Sequence, residues 1–177
     1  MKFFETKLEG AFNIEIEPNQ DDRGFFARSW DKKIFEKNGL NSDIAQCNIS
    51  RSKKKGTLRG LHYQINPFQE TKLIRCTKGK VFNVIIDLRP DSKTFQQWDG
   101  IELTEENHIM RYIPEDFANG IQILEDDSEI FYQVSQFYTP NSERGIRWDD
   151  PTFKITWPLV PTNMTEKDQS WKDFNEN

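Results

Sequence analysis

Short segments in which apolar and polar residues alternate recur along most of the chain, and they constrain the fold more than any other feature. Residues 12–16 alternate in this way until Pro18, and residues 73–77 and 81–88 flank a turn at 78–80. Alternation with a period of two predicts half-buried β-strands. Further strands are predicted at residues 94–103, 108–113, 121–124 and 129–137. Such a series is typical of a β-sandwich, a jelly roll or a closed barrel.

Helix signals are few. Residues 30–38 predict one short helix, with Asp31 near its start and Gly39 just beyond its end. Residues 165–174 predict a second one, with Thr165 as its N-cap. We therefore expect an all-β chain with a few short helices, whose barrel mouth is a natural small-molecule site.

Composition excludes several classes of protein. A chain of 177 residues with 14 Phe and 5 Trp can bury one sizeable core. The net charge of −5 argues against a nucleic-acid surface, and the basic cluster at 51–55 is typical of a solvated loop. No segment approaches the roughly 20 apolar residues of a membrane helix. Residues 1–12 carry charges where a signal peptide would need its apolar region.

The two cysteines and two histidines predict no metal centre. Cys47 and Cys76 have no metal-ligand spacing, and a cytoplasmic chain with reduced thiols is the simpler interpretation, although a disulfide between them stays open. His62 and His108 lie too far apart in the sequence to suggest a histidine-rich metal site.

Four side chains could carry chemistry, and each also has an ordinary structural interpretation. In residues 59–64, strand alternation puts Arg59 on one face and His62 on the other, and a lone strand histidine is usually structural. Lys72 has the pattern of a surface lysine at a strand end. Tyr132 has the pattern of a core residue, and Asp168 that of a solvated one.

A series of motifs in a fixed order resembles the dTDP-4-dehydrorhamnose 3,5-epimerase family. The resemblance extends from about residue 12 to residue 168. It implies a cupin jelly roll, the double-stranded β-helix, as one domain over residues 1–177. It also implies a homodimer whose N-terminal segment completes the partner's site. The matching motifs are DDRGFF (21–26), LRGLHYQ (58–64), KLIRCTKGKVFNVIIDLR (72–89), SKTFQQW (92–98), YIPEDFANG (112–120), YTPNSERGIRWDDP (138–151), ITWP (155–158) and KD (167–168).

The resemblance implies epimerisation of a nucleotide-linked 4-keto sugar. His62 matches the general base, which removes a proton from the carbon beside the ketone. Asp168 matches the carboxylate that orients this base, and Lys72 matches the cation near the C4 oxygen. Tyr132 matches the acid on the opposite face of the sugar. No cofactor and no metal are implied.

The resemblance also implies contacts with the nucleotide-diphosphate sugar. Arg23 and Arg59 match positions that contact the diphosphate. The remaining implied binding positions, several of them near the nucleotide, are Phe26, Arg28, Gln46, Asn48, Asn119, Tyr138 and Lys167.

Two positions depart from the family pattern. The family usually has His where this chain has Asn119, which indicates either that one centre is inverted instead of two, or a different sugar, or that this position only forms hydrogen bonds. Arg28 stands where the thymidine-binding family usually has Glu. An arginine suits the acceptor-rich edge of guanine, so we expect a GDP-linked 4-keto sugar, such as a 6-deoxyheptose of surface polysaccharide, over a dTDP-linked hexose. A drifted surface arginine is the alternative.

Two competing functions remain at this point. A 3,4-ketoisomerase would move the ketone within the same type of barrel, but the pairing of His62 with Tyr132 favours epimerisation. A non-catalytic sugar-nucleotide-binding barrel would not need all four of the reactive side chains.

Overall fold

Two antiparallel sheets face each other and form the body of the molecule. The computed structural model describes residues 1–174. Two short helices, α1 (Lys32–Lys37) and α2 (Glu166–Gln169), and one 3₁₀ turn at Pro140–Ser142 accompany the strands. The strands are β1 (Lys2–Glu5), β2 (Phe12–Glu15), β3 (Asn19–Asp21), β4 (Gly24–Phe26), β5 (Gln46–Ser52), β6 (Leu58–Gln64), β7 (Lys72–Lys78), β8 (Lys80–Asp87), β9 (Trp98–Thr104), β10 (Met110–Ile113), β11 (Phe117–Ile123), β12 (Ser128–Val134) and β13 (Glu143–Gly145).

The strand order is that of a jelly roll. The six-stranded sheet has the order β1-β2-β10-β7-β12-β5, and the five-stranded sheet has the order β13-β6-β11-β8-β9. Strands β3 and β4 form a separate hairpin. Buried side chains from both sheets, including Ile74 and Ile130 on one side and Ile85 and Ile121 on the other, pack into one cluster between them. The prediction of an all-β chain with a cupin-type jelly roll is confirmed.

The chain after β13 covers the outer face of the five-stranded sheet. Phe153 and Trp157 pack there against Leu61 and Val84 of that sheet. This return brings residues 165–171 back to β6, where the ring of Trp171 lies directly on Gly145. The C-terminal segment can therefore contribute side chains to a site that the two sheets enclose. Within residues 1–174, no helix is long and apolar enough to cross a membrane.

Most of the predicted elements exist, with different ends. Strands β7 and β8 flank the predicted turn, and Asp31 caps α1 through a bond from the Ile34 N–H. The predicted strand at 94–103 begins only at Trp98, because Ser92 and Thr94 donate to the buried Asp87 carboxylate and hold a turn there. The strand predicted at 121–124 begins earlier, and the one predicted at 129–137 ends earlier, as the bounds of β11 and β12 show.

The predicted C-terminal helix is much shorter than its pattern indicates. Thr165 caps α2 as expected, by accepting from the Asp168 N–H, but the helix ends at Gln169. Beyond it the Phe174 N–H donates to the Asp150 carboxylate at 2.6 Å, and the Phe174 ring packs on Phe153. Tertiary contacts override the local helical preference in this segment.

Candidate active site

A bulge in β6 decides which side chains face the space between the sheets. Asn119 of β11 pairs with His62, and Ile121 pairs with Arg59, so three steps along β6 oppose two along β11. The extra residue lets Arg59 and His62 line the same cavity, and the predicted alternation of these two residues is therefore wrong. Gly60 has φ +108°, and a Cβ there would lie 2.6 Å from the Asn119 carbonyl oxygen, so the bulge requires glycine.

The four candidate catalytic residues meet in one cavity of about 330 Å³ between the sheets. His62 and Asp168 lie on one wall, formed by β6 and the C-terminal segment, and Lys72 and Tyr132 lie on the other, formed by β7 and β12. Three predicted binding residues, Arg59, Asn119 and Lys167, line the same cavity. A second cavity of about 450 Å³ shares His62, Lys72 and Tyr132 with the first and is lined by the predicted binding residues Gln46, Asn48 and Tyr138.

His62 is held by a buried carboxylate. Its Nε2 lies 2.6 Å from Oδ1 of Asp168, which is only 3% exposed, and the Gly60 N–H lies 3.4 Å from the other carboxylate oxygen. Burial alone would raise the pKa of Asp168, but the hydrogen bond with His62 and the charge of its ring lower it overall. The solvated position that the sequence pattern suggests for Asp168 is wrong, because the C-terminal segment folds back onto β6.

The opposite wall carries a phenol and an ion pair. Tyr132 pairs with Ile74 and Val134 pairs with Lys72, so the side chains of Tyr132 and Lys72 leave the sheet on the same face. Lys72 forms a short ion pair with Glu70, and both side chains are nearly buried, unlike a surface lysine. Burial raises the pKa of the Tyr132 phenol, and the charge of Glu70 adds to this effect while Arg59 opposes it. The phenol therefore keeps its proton at neutral pH and can donate it.

Sequence reasoning missed two carboxylates in the site. Glu70 is one, and its proximity to Lys72 in the sequence was the available signal. Glu143 is the other; it lies in the YTPNSERG motif, accepts from the Tyr138 hydroxyl at 2.7 Å and forms a short ion pair with Lys167. Burial would raise the pKa of Glu143, but the bonds from Lys167 and Tyr138 lower it overall. Its Oε1 lies 3.9 Å from Nδ1 of His62, the ring nitrogen that Asp168 leaves free.

Three predicted binding residues lie outside both cavities of this chain. Arg23 and Phe26 belong to the β3–β4 hairpin; Arg23 pairs with Asp21, and Phe26 is 71% exposed. Arg28 donates to the Asp31 carboxylate at 2.8 Å, next to the start of α1. Their roles in binding stay predictions.

Neither a metal-binding cluster nor a disulfide is present among residues 1–174. Within residues 1–174, no three His, Cys, Asp or Glu side chains lie close enough together to hold a metal ion. Both cysteines have free thiols; Cys47 is exposed and Cys76 is buried.

Comparison with known proteins agrees with the fold and identifies a family. The family model described as dTDP-4-dehydrorhamnose 3,5-epimerase matches residues 5–176. The enzyme of that name from Pseudomonas aeruginosa is 46% identical over 173 residues, which cover 96% of this chain and 94% of the relative. The crystal structure of the Elizabethkingia anophelis enzyme superposes with a TM-score of 0.96 at 35% identity, covering 99% and 97% of the two chains. The Legionella pneumophila enzyme, in complex with dTDP-4-keto-L-rhamnose, gives a TM-score of 0.92 at 37% identity, with coverages of 98% and 93%.

The jelly roll, the shared cavity and these similarities define an isomerase of the nucleotide-sugar epimerase class. In the cavity of this chain, a histidine–carboxylate pair on one wall faces a phenol on the other. The chain belongs to the dTDP-4-dehydrorhamnose 3,5-epimerase family, and the resemblance inferred from the sequence motifs is confirmed.

Proposed function

We propose that this chain inverts both C3 and C5 of a dTDP-linked 4-keto-6-deoxy hexose without a cofactor. The observation that carries the proposal is the placement of His62 and Tyr132 on opposite walls of one cavity. Inversion at a carbon needs a base on one face and a proton donor on the other, and this arrangement provides both. The names of the relatives support action at two centres of a thymidine-linked sugar.

The reaction would begin with proton removal from the carbon beside the ketone. His62 accepts the proton at Nδ1, while Asp168 holds Nε2 and stabilises the resulting imidazolium. The electron pair of the broken C–H bond moves to the C4 oxygen, giving an enolate that the Lys72 cation stabilises. Tyr132 then gives its proton to the opposite face of the same carbon. Proton exchange with water returns the imidazolium and the phenolate to their starting states.

The thymidine carrier is better supported than the guanosine carrier. The relatives favour dTDP, and the sequence-based predictions of GDP and of a heptose find no support among them. Arg28 already donates to Asp31 of its own chain, so its guanidinium is partly engaged before any base arrives. Asn119 is compatible with two inversions if this position only forms hydrogen bonds.

The N-terminal hairpin supports a homodimer with shared sites. Arg23 has a side chain that is 90% exposed, and Phe26 projects from the same hairpin, outside the cavities of its own chain. A diphosphate and a base would be natural contacts for these side chains, so they fit the site of a partner subunit. We further propose that residues 1–177 act as one domain, although 175–177 lie outside the described residues.

We also propose a cytoplasmic role in the synthesis of surface polysaccharide such as capsule or lipopolysaccharide. The two free cysteines fit a reducing cytoplasm. Convergence of all four candidate catalytic residues on one cavity argues against a merely non-catalytic binding barrel.

The test is to incubate the purified chain separately with dTDP- and GDP-linked 4-keto-6-deoxyglucose and to follow the sugar by proton NMR. The proposal predicts that the dTDP substrate is inverted at C3 and C5 and that the GDP substrate reacts far more slowly. Inversion at one carbon only, migration of the ketone to C3, or faster reaction of the GDP substrate would contradict it.

A further inference from the structure

A fully buried amide stands directly behind the wall of the cavity. The side-chain NH₂ of Asn83, on β8, donates to the main-chain oxygen of Gly120 at 3.0 Å and to Oδ1 of Asn119 at 2.7 Å. Asn83 is 0% exposed, and its own Oδ1 has no hydrogen-bond partner within residues 1–174. An unpaired buried oxygen such as Oδ1 of Asn83 costs free energy, so the two hydrogen bonds of the NH₂ must offset that cost.

The Gly120 carbonyl fixes the direction of both amides. A main-chain carbonyl only accepts hydrogen bonds, so the end of Asn83 that faces it must be the NH₂. The same NH₂ faces Asn119, so the near end of Asn119 must be its oxygen. The Asn119 NH₂ is then the end left for the cavity that this residue lines.

Asn119 stands beside the proposed base. It is the direct strand partner of His62 across the β6–β11 ladder, and both side chains line the same cavity. Directly paired residues place their side chains within about 5.5 Å of each other. A group on the sugar that reaches His62 can therefore also reach the Asn119 amide.

We propose that Asn83 is a positioning residue that fixes Asn119 with its N–H toward the sugar, as a neutral donor to the oxygen that gains charge when His62 removes the proton. This inference rests on the proposed function and deepens it. The orientation of the Asn119 amide is set by hydrogen bonds that begin at the Gly120 main-chain carbonyl. Neither amide titrates, so this orientation does not depend on pH. A carboxamide at this position can stabilise an enolate oxygen without taking part in proton exchange.

The test reverses the direction of the hydrogen bonds that link Gly120, Asn83 and Asn119. In Asn83→Asp the ionised carboxylate can only accept, so at pH values where it is ionised Asn119 should turn its NH₂ inward and present its oxygen to the cavity. Loss of one oriented donor to a developing oxyanion typically costs about 10²-fold or more in kcat. We expect a loss of about that size, with KM for the dTDP substrate changed little, because the nucleotide contacts lie elsewhere.

A second substitution should rescue this defect in a pH-dependent way. In Asn83→Asp/Asn119→His, the imidazole can donate one N–H to the new carboxylate, and it presents a second N–H to the cavity only when it is protonated. The double variant should regain most of the lost kcat at low pH and lose it again as the pH rises. Asn119→His alone, beside the native Asn83, should lack this extra alkaline limb, because the neutral ring already points an N–H at the cavity.

The inference is overturned if Asn83→Asp keeps kcat within about threefold of wild type, a free-energy change below 1 kcal/mol. It is also overturned if the double variant is no better than the single one, since a purely structural defect would not respond to residue 119. Should Asn83→Asp fail to fold, Asn119→Asp presents the same reversed polarity at a half-buried position and should show the same loss of kcat.

An activity-independent measurement separates this inference from the proposed function. Proton exchange of the Asn119 side-chain amide, followed by ¹⁵N NMR without substrate, should be fast in wild type and slower in Asn83→Asp, where the NH₂ turns inward. If the wild type binds dTDP but does not epimerise, the proposed function fails, while this exchange result still decides the orientation of Asn119. Equal exchange in both proteins contradicts the inference.

Discussion

The two walls of the cavity control protons in different ways. On the first wall, His62 bonds to an almost fully buried carboxylate, which also lies 3.4 Å from the Gly60 N–H. The main-chain N–H of the same residue, Asp168, donates to the Thr165 hydroxyl. On the second wall, the Tyr132 hydroxyl has no such anchor among residues 1–174; burial and the charge of Glu70 raise its pKa. The first wall holds the ring of the proposed base by a hydrogen bond, whereas the second raises the pKa of the proposed acid.

This difference suits the two halves of an inversion. A base must present an unprotonated nitrogen in one direction, so a hydrogen bond that selects the tautomer is the effective device. A proton donor must stay protonated until the enolate forms, so a raised pKa is the effective device. Substitutions on the first wall should therefore abolish proton removal, and substitutions on the second wall should alter proton delivery or its pH dependence.

The largest effect is expected from His62→Asn, which removes the base. General base catalysis contributes up to about 10⁴-fold, so we expect kcat to fall by about 10³-fold or more. Solvent deuterium should no longer enter C3, as measured by NMR in deuterated water. Calorimetric titration with dTDP is the control and should give a wild-type affinity. Exchange at the wild-type rate would contradict the role of the first wall.

Asp168→Asn should cost less, at about 10²-fold in kcat. The new amide would keep its oxygen on the Gly60 N–H and turn its NH₂ toward Nε2 of His62. The imidazole proton would then sit on Nδ1, where it blocks the base. Steady-state kinetics should show a changed kcat with dTDP affinity preserved; wild-type turnover would mean that Asp168 does not orient the ring.

The lowered pKa of Asp168 adds a stability signature to the same variant. A folded pKa below the unfolded value of about 3.9 stabilises the fold above that pH, and this contribution is lost as the pH falls through the folded pKa. The difference between the urea midpoints of wild type and Asp168→Asn should therefore shrink below about pH 4.

Glu70→Gln on the second wall should change the pH profile more than the rate. Removing the charge of Glu70 lowers the pKa of Tyr132, so the alkaline limb of kcat should move to lower pH. The glutamine keeps an oxygen that can accept from Lys72, so turnover at neutral pH should change by no more than about fivefold, or about 1 kcal/mol. Glu102→Gln, at an exposed position of β9, is the matched control. An unshifted alkaline limb in Glu70→Gln would contradict the account of the second wall.

The smallest effect is expected at Arg28, which lies outside both walls. Under the proposed function, wild type binds dTDP more tightly than GDP, and Arg28→Glu strengthens dTDP binding by no more than about fivefold, since the site is solvent-exposed. Calorimetric titrations with both nucleotides measure this, with Arg51→Glu as a matched control, because Arg51 also pairs with an aspartate on the surface. A wild-type preference for GDP that Arg28→Glu abolishes would restore the guanosine prediction.

Local sequence signals predicted the second wall's backbone better than the first wall's. The turn at residues 78–80, which follows β7 of the second wall, is encoded by its own local sequence. The face of His62 was not predictable from alternation, because the bulge at Gly60 is set by pairing with a strand far along the chain. The family motifs nevertheless identified all four side chains that meet in the cavity.

Long-range contacts explain the remaining differences. Asp168 becomes buried only when the C-terminal segment returns over the five-stranded sheet, 106 residues after His62. Glu143 acquires its ion-pair partner Lys167 from a segment 24 residues further along, while Tyr138 lies five residues before it in the same motif. A residue whose environment is built by distant segments gives no local signal of its burial.

The central claim is that His62 removes the proton and Tyr132 delivers one to the opposite face, and Tyr132→Phe in deuterated water tests it most directly. Without the phenol, His62 should still remove a proton and return a deuteron to the same face. The account predicts deuterium at C3 with retained configuration, while net epimer formation falls by about 10²-fold or more. Tyr112→Phe, which removes a phenol that bonds to the Asn41 N–H outside both cavities, is the matched control and should behave as wild type. Epimer formation at the wild-type rate in Tyr132→Phe, or loss of deuterium entry together with inversion, would contradict the account.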